Sequence, residues 1–232
     1  MPPTEPRAVL IIPALNEEPV IARTLAAVPH GLYRQILVAD NGSTDRTAEI
    51  AAAAGAHVVE EPERGYGAAC LRAIAAMPQD IEAVVFMDAD SSDDPAEAPQ
   101  LLAPIYEGRA DLVLGSRTLG RAEPGSLQPH QVFGNELATL LIRLFYGHSY
   151  TDLGPFRAIR AESLRKLGMR DRNYGWTIEM QIKAVQSGLR ILEVPVSYRR
   201  RIGVSKVSGN LKASFLAGVK IIWTVFRLAL RP

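Results

Sequence analysis

The strongest constraint on the fold is a repeated unit: a short apolar run, a cluster of turn-forming or acidic residues, then a segment of helical character. Val9-Leu10-Ile11-Ile12 stops at Pro13, and Gln35-Ile36-Leu37-Val38-Ala39 stops at Asp40. His57-Val58-Val59-Glu60, Ala83-Val84-Val85-Phe86-Met87 and Asp111-Leu112-Val113-Leu114 continue the series. Uninterrupted apolar runs are the mark of strands buried on both faces, and helices between them supply right-handed crossovers. The predicted class is α/β: one Rossmann-like domain with a mostly parallel central sheet. Helices are expected up to about residue 27, over 46–54, and from the Arg64-Gly65-Tyr66-Gly67 opening to about residue 76.

Ligands of such sheets bind beyond the carboxyl ends of the strands. Three loops there carry carboxylates or amides: Pro13-Ala14-Leu15-Asn16-Glu17, Asp40-Asn41-Gly42-Ser43-Thr44-Asp45 and Asp88-Ala89-Asp90. The fourth apolar run ends in the last of these, and extended geometry sends Asp88 and Asp90 to the same side, because side chains alternate along a strand. Two such carboxylates repel unless a cation or proton lies between them. Mg²⁺ or Mn²⁺ answers that requirement and also holds substrate phosphates. The bland alternative is a solvated acidic turn, with Asp93, Asp94 and Pro95 starting the next helix. No GxGxxG follows the first strand and no GxxxxGK[ST] loop exists, which argues against a dehydrogenase and a P-loop NTPase.

Charge separates along the chain although the net charge is +1. Residues 40–97 hold 13 acidic and 3 basic side chains, whereas 190–231 hold 9 basic and 1 acidic. Of the 26 basic residues 21 are Arg, the side chain whose planar fork fits phosphate. An acidic first half suits a metal, and a basic end suits phosphates or an anionic membrane. No aromatic-basic motif accompanies the charge, so nucleic acid is not the expected partner. A single cysteine, Cys70, excludes an internal disulfide and points to a reducing, cytoplasmic compartment. The first seven residues lack a signal-peptide layout, and no uncharged run is long enough to span a bilayer.

The second half is less regular. Residues 118–131 read as a mobile loop, 132–146 as a helix with a wide apolar face, and 151–159 as a strand or turn. Short helices are expected from Ala161 and from Trp176. Residues 191–198 read as a strand placed at a sheet edge by Pro195. A basic loop, 199–208, leads to a last helix over 209–230.

Six motifs in order resemble those of family 2 glycosyltransferases with a GT-A fold, nearest to the polyprenyl-phosphate (dolichyl-phosphate) mannose or glucose synthases. They are Pro13-Ala14-Leu15-Asn16-Glu17, Asp40 to Asp45, Arg64-Gly65-Tyr66-Gly67, Asp88-Ala89-Asp90, Gly115-Ser116-Arg117 and Phe156-Arg157-Ala158. Arg201-Ile202-Gly203-Val204-Ser205-Lys206 resembles that subgroup's Arg-x-Gly-x-Ser-Lys element. The resemblance divides the GT-A domain, 8–206, into a nucleotide-binding half, 8–117, and an acceptor half, 118–206. It implies that Pro13, Ala14, Asn16, Glu17, Asp40, Gly67, Asp88, Ala89 and Asp90 bind a GDP- or UDP-hexose. Asp40 would hold the base or ribose, and Gly67 would let the nucleotide approach closely. Asp88 and Asp90 would hold the metal, and Arg117, Arg157, Arg201 and Lys206 would cradle an acceptor phosphate. Arg199 and Arg200 would assist or face solvent.

The implied reaction is inverting transfer of one mannose or glucose to a polyprenyl phosphate at the cytoplasmic face of a membrane. Two departures from the family pattern stand out. Ser91-Ser92-Asp93-Asp94-Pro95 replaces a Leu-Gln-His-Pro-like run, leaving Asp93 as a substitute metal ligand, and Gly154-Pro155 replaces Ser-Gly. The Gln-x-x-Arg-Trp signature of processive members is absent, which favours single transfer. Transfer to a sugar or lipid hydroxyl, which needs a base such as Asp152 or Glu179, is the alternative. Glu179 is read first as a structural partner of an arginine. A nucleotidyltransferase and an inactive nucleotide-binding module are further alternatives.

The last helix gathers Lys212, Lys220, Arg227 and Arg231 on one arc, with apolar groups over most of the rest. Residues 207–232 therefore suit a peripheral helix in a membrane interface, or equally one packed on the domain or on a second subunit. Core roles are expected for Trp223 and Tyr146.

Overall fold

The structure is a computed structural model and describes residues 6–203 and 211–230, with side chains from 218 onward in the second span. Lys206 and the end of the Arg-x-Gly-x-Ser-Lys element lie outside those residues, as do Arg231 and the Lys212 side chain. The first strands follow the apolar runs: β1 (Ala8–Ala14), β2 (Gln35–Asp40), β3 (His57–Glu60) and β4 (Ala83–Phe86). They pair in parallel in the order β3-β2-β1-β4, so the chain reverses direction of travel between β1 and β4. That switch point opens the crevice in which the site lies.

Beyond β4 the sheet becomes mixed. β6 (Arg157–Arg160) inserts antiparallel between β4 and β5 (Leu112–Ala122), and β7 (Ile191–Tyr198) pairs in parallel with β5 at the far edge. The edge place of the strand containing Pro195 is as the sequence predicts. The mobile loop expected from Thr118 is corrected: β5 continues to Ala122, and the next helix begins at Pro129. Gly120, which reads as a loop former, marks a register shift against β7, and a Cβ there would stand 2.0 Å from the Val196 carbonyl oxygen. Glycine permits that close approach inside a bulged strand. β5 therefore crosses the 117/118 division drawn from sequence.

Helices cover both faces. α1 (Ile21–Ala26), α2 (Thr47–Ala53) and α4 (Ala98–Tyr106) pack on one side with Leu10, Ile12, Val38 and Val85. α3 (Tyr66–Ala76), α5 (Pro129–Tyr146), α6 (Ala161–Leu167), α7 (Trp176–Gln186) and α8 (Leu211–Ala229) pack on the other with Val9, Ile11, Val84 and Phe86. Alternate residues of each strand feed the two cores, which is why the runs are apolar throughout. α8 uses Val225 and Leu228 to pack on the domain, and Tyr146 Oη donates to the Val225 carbonyl at 2.5 Å. Tyr146 is partly buried and packs against this core, so the predicted role holds in part. Trp223 lacks that role: it is 49% exposed. Among the described residues, no helix is long and apolar enough to cross a membrane.

Candidate active site

A cleft of about 470 Å³ opens at the carboxyl ends of β1, β2 and β4. Pro13, Ala14, Leu15 and Glu17 line it from the β1 loop, and Asn41 lines it from the β2 loop. Arg64, Gly65 and Tyr66 contribute from the start of α3, and Asp88, Ala89 and Asp90 from the turn after β4. The opposite wall brings Arg117, Gln131, Leu153, Pro155, Tyr174, Tyr198 and Arg201.

β4 stops at Phe86, so Asp88 and Asp90 meet the cleft through a turn and not through strand alternation. Ser91 holds a left-handed backbone conformation, φ 59°, which L-residues adopt at a cost. Thr24 Oγ1 secures that turn, donating to the Ala89 carbonyl at 2.7 Å and lying 2.7 Å from Ser91 Oγ. Asp90 Oδ1 accepts from Ser92 N at 2.9 Å and from Ser92 Oγ at 2.5 Å. Tyr66 Oη donates to Asp88 Oδ1 at 3.2 Å. Burial and the nearby charge of Asp90 push the Asp88 carboxyl up to about 6. Burial, with both neighbours' charges, pushes Asp93 well above the carboxylate range. Asp93 Oδ2 accepts from Asp88 N at 3.3 Å, while its buried Oδ1 has no partner.

This donor set fits a hard divalent cation. Among the described residues no group of three or more His, Cys, Asp or Glu could hold a metal alone. Asp88 and Asp90 would be the protein's share of such a site, with substrate phosphates and water completing a Mg²⁺- or Mn²⁺-type shell. Asp93 props the backbone of Asp88 from behind the lining. A cation already stands against the pair: Arg201 Nη2 lies 3.0 Å from Asp90 Oδ2 and 3.7 Å from Glu17 Oε1.

Of the residues assigned to the nucleotide, Pro13, Ala14, Glu17, Asp88, Ala89 and Asp90 line the cleft. Asn16, Asp40 and Gly67 stand behind that lining. Asn16, in a left-handed conformation at φ 51°, accepts from Thr44 N at 2.8 Å and ties the β1 and β2 loops together. Asp40 Oδ2 accepts from Ser43 N at 3.1 Å, and its buried Oδ1 has no partner. Gly67 is corrected: a Cβ there would lie 2.0 Å from the Asp171 carbonyl oxygen, so the close approach is to the protein's own backbone. Ala68 N donates to Arg172 O at 2.9 Å at the same junction.

The arginines divide more sharply. Arg117 reaches the cleft while Nε and Nη2 hold Asp152 Oδ2 and Oδ1 at 2.8 and 2.7 Å, with Tyr198 stacked at 4.9 Å. Burial disfavours its charge, and the bonds to Asp152 more than offset that, so its pKa is raised. Arg157 does not reach the cleft. It is 2% exposed, and it donates to the carbonyls of Gly154, Leu153 and Thr177. Its place is corrected from phosphate ligand to support for the loop that carries Leu153 and Pro155. Arg199 pairs with Asp94, and Arg200 donates to Pro124 O and Glu123 Oε2.

The two carboxylates considered as bases are also spoken for. Asp152 is consumed by Arg117. Glu179, 1% exposed, accepts from Arg170 N and Asp171 N at 3.1 and 2.7 Å and pairs with Lys183 at 2.8 Å, so its partner is a lysine and not an arginine. Sequence reasoning missed Tyr198, Tyr174 and Gln131 in the lining. Leu15, Asn41, Arg64, Gly65 and Tyr66 did carry a signal, since each lies in one of the quoted motifs.

Residues 9–168 match the profile of Glycosyl transferase family 2. An uncharacterised glycosyltransferase of Mycobacterium tuberculosis is 41% identical over 90% of this chain and 93% of its own length. The undecaprenyl-phosphate mannosyltransferase of Micrococcus luteus is 30% identical over 92% of both chains. Among solved structures, glucosyl-3-phosphoglycerate synthase from Mycobacterium tuberculosis, in complex with Mn²⁺, uridine diphosphate and glucosyl-3-phosphoglycerate, superimposes with a TM-score of 0.77 at 25% identity. That match covers 98% of this chain and 81% of the other. With its GT-A-like sheet, its cleft at the strand ends and a family match over most of its length, the chain belongs to glycosyltransferase family 2.

Proposed function

We propose that the protein transfers one hexose, with inversion, from a GDP- or UDP-linked sugar to the phosphate of a polyprenyl phosphate at the cytoplasmic surface of a membrane. The observation that carries this reading is the fate of the two candidate bases. Asp152 and Glu179 are each 1% exposed, ion-paired and outside the cleft lining. A hydroxyl acceptor needs a base within hydrogen-bond reach, whereas a phosphate is already an anionic oxygen at neutral pH. The undecaprenyl-phosphate relative supports the same acceptor class.

In the proposed step an acceptor phosphate oxygen attacks the anomeric carbon, and the bond from that carbon to the donor diphosphate breaks. Its electron pair leaves with the nucleoside diphosphate, and no proton has to move. A divalent cation bound at Asp88 and Asp90 would neutralise the charge that builds on the departing diphosphate. Arg201 orients the acceptor phosphate when it exchanges Asp90 and Glu17 for phosphate oxygens. Arg117, held in direction by Asp152, presents its remaining Nη1. Tyr66 and Ser92 hold the two aspartates in place.

Incubation with GDP- and UDP-hexoses, Mn²⁺ and a short-chain polyprenyl phosphate tests the reading. The free polyprenol and a phosphoglycerate serve as competing acceptors. The expected product is an acid-labile sugar phosphodiester formed from the lipid phosphate alone. Sugar attached to a hydroxyl of either competitor at a comparable rate would overturn it.

A further inference from the structure

Outside the cleft, apolar surface is concentrated in one place. Of ten exposed large apolar side chains among the described residues, eight lie on α5 and α8 and a ninth, Leu230, directly follows α8, where scattered single exposures would need no explanation. Phe133, Leu140 and Leu144 recur at helical spacing on α5, as do Trp223 and Phe226 on α8, and Leu230 just past its end keeps that spacing. The rings of Phe145 and Phe226 meet edge to face at 5.0 Å, joining the two stripes while both remain exposed. These residues are not the helices' shared core, since Ala138 and Ile142 of α5 and Val225 and Leu228 of α8 serve that purpose.

Charge indicates what covers the surface. No acidic residue occurs after Glu193 in the sequence, so the positive charge comes from α8; on α5 the exposed Arg143 beside Leu144 is balanced by the exposed Glu136 two turns earlier. The half-exposed Trp223 ring lies between Lys220 and Arg227, at 4.9 and 4.7 Å. An indole flanked by cations beside an apolar stripe is the arrangement of a side chain at a lipid headgroup boundary. Lys220 also reaches back to the buried Asp171 at 3.0 Å, so the cations framing the outward stripe are Arg143 and Arg227. The surface is continuous with the cleft: Gln131, in the first turn of α5, lines it, and Asn135 Oδ1 accepts from the cleft residue Leu153 at 2.8 Å.

We propose that α5 and α8 together, and not α8 alone, form a docking surface for an anionic membrane. The two stripes enter the acyl boundary, and the amino-terminal end of α5 sets the cleft mouth against the bilayer. Membrane docking stands on the surface itself; the entry of a lipid-borne phosphate along α5 rests on the function proposed above.

Full-length protein is sedimented with phosphatidylcholine vesicles, with and without phosphatidylglycerol, and Trp fluorescence is recorded. Trp176 is buried, so a blue shift reports Trp223. The expected result is cosedimentation with the anionic vesicles, weakened by salt, and a blue shift in the unaltered protein. The double variant Leu144→Glu/Trp223→Glu, at two exposed positions, should lose about tenfold or more of the partitioning. It should still turn over a water-soluble short-chain prenyl phosphate at the parent rate. No vesicle binding and no blue shift, or unchanged binding by the variant, overturns the proposal. So does a dimer, seen by light scattering, that the double variant dissociates, because the face then belongs to a second copy. Vesicle binding without any glycosyl transfer would instead sink the functional reading and leave the docking surface standing.

Discussion

The two walls of the cleft are built on opposite electrostatic principles. On the donor wall the carboxylates are left partly unsatisfied: burial and the charge of Asp90 push the Asp88 carboxyl up to about 6, and the buried Asp93 Oδ1 and Asp40 Oδ1 have no partner. On the acceptor wall nearly every charge is already matched. Arg117 grips Asp152, Arg157 is wrapped in carbonyls, and Glu179 is capped by two amides and Lys183. Among the described residues that line the cleft, Arg201 crosses between the two walls. Unmatched buried carboxylates are stabilised by a cation brought from outside, whereas matched arginines fix the geometry of a loop. The comparison teaches that a cluster of arginines in sequence is not itself a phosphate site; what counts is which guanidinium edges remain turned toward the cleft.

The largest effect should come from the donor wall. Asp90→Ala should lower turnover by about 10³ with the fold retained by circular dichroism, the order seen when a group that stabilises developing charge is removed. Near-normal turnover would end the distinction between the walls.

Next is the buried pair on the acceptor wall. Asp152→Ala leaves Arg117 buried without its carboxylate and should cost about 3–5 kcal/mol in urea unfolding. A loss below about 1 kcal/mol would mean that Arg117 is held by other contacts.

Glu179→Gln removes one ion pair but keeps a hydrogen-bond acceptor. It should cost about 1–3 kcal/mol of stability while leaving turnover per folded molecule within a few-fold of the parent. A collapse of turnover with stability intact would restore Glu179 as a base and a hydroxyl as the acceptor.

The pH response sharpens the contrast. The folded pKa of Asp88 is raised above its ordinary value, so its ionisation opposes folding of the metal-free protein above about 6, and that penalty is relieved as pH falls from about 6 toward the ordinary carboxylate range. Divalent-cation affinity should move the other way, because protons compete for the same carboxylate; calorimetric titration with Mn²⁺ at about pH 5 should read roughly tenfold weaker than at about pH 7. A flat profile would show that Asp88 carries no part of the site.

The smallest effect belongs to Arg199→Ala. Its pair with Asp94 is half exposed, and its loss should change stability by about 0–1 kcal/mol and turnover hardly at all.

Much of the donor wall was legible because it is assembled from consecutive residues. A strand's apolar run and the loop at its end are neighbours in the chain, so Pro13, Ala14, Glu17, Asp88 and Asp90 could be placed by reading along it. Gly67 shows the limit of that approach. A glycine announces that something comes close but not what, and here the neighbour is the backbone of Asp171, over a hundred residues away. The acceptor wall was less legible for the same reason. Arg117 meets Asp152 only because β6 enters antiparallel between β4 and β5, and Tyr198 faces the cleft only because β5 outruns its expected end.

By itself the sequence determined the α/β class, the strand-end loops and the metal-suited pair, because apolar continuity and turn chemistry are local properties. Only the tertiary structure decided which charges are spent on one another and which remain available. Pairing energies depend on distance and burial, and those were set when the sheet order brought distant segments side by side.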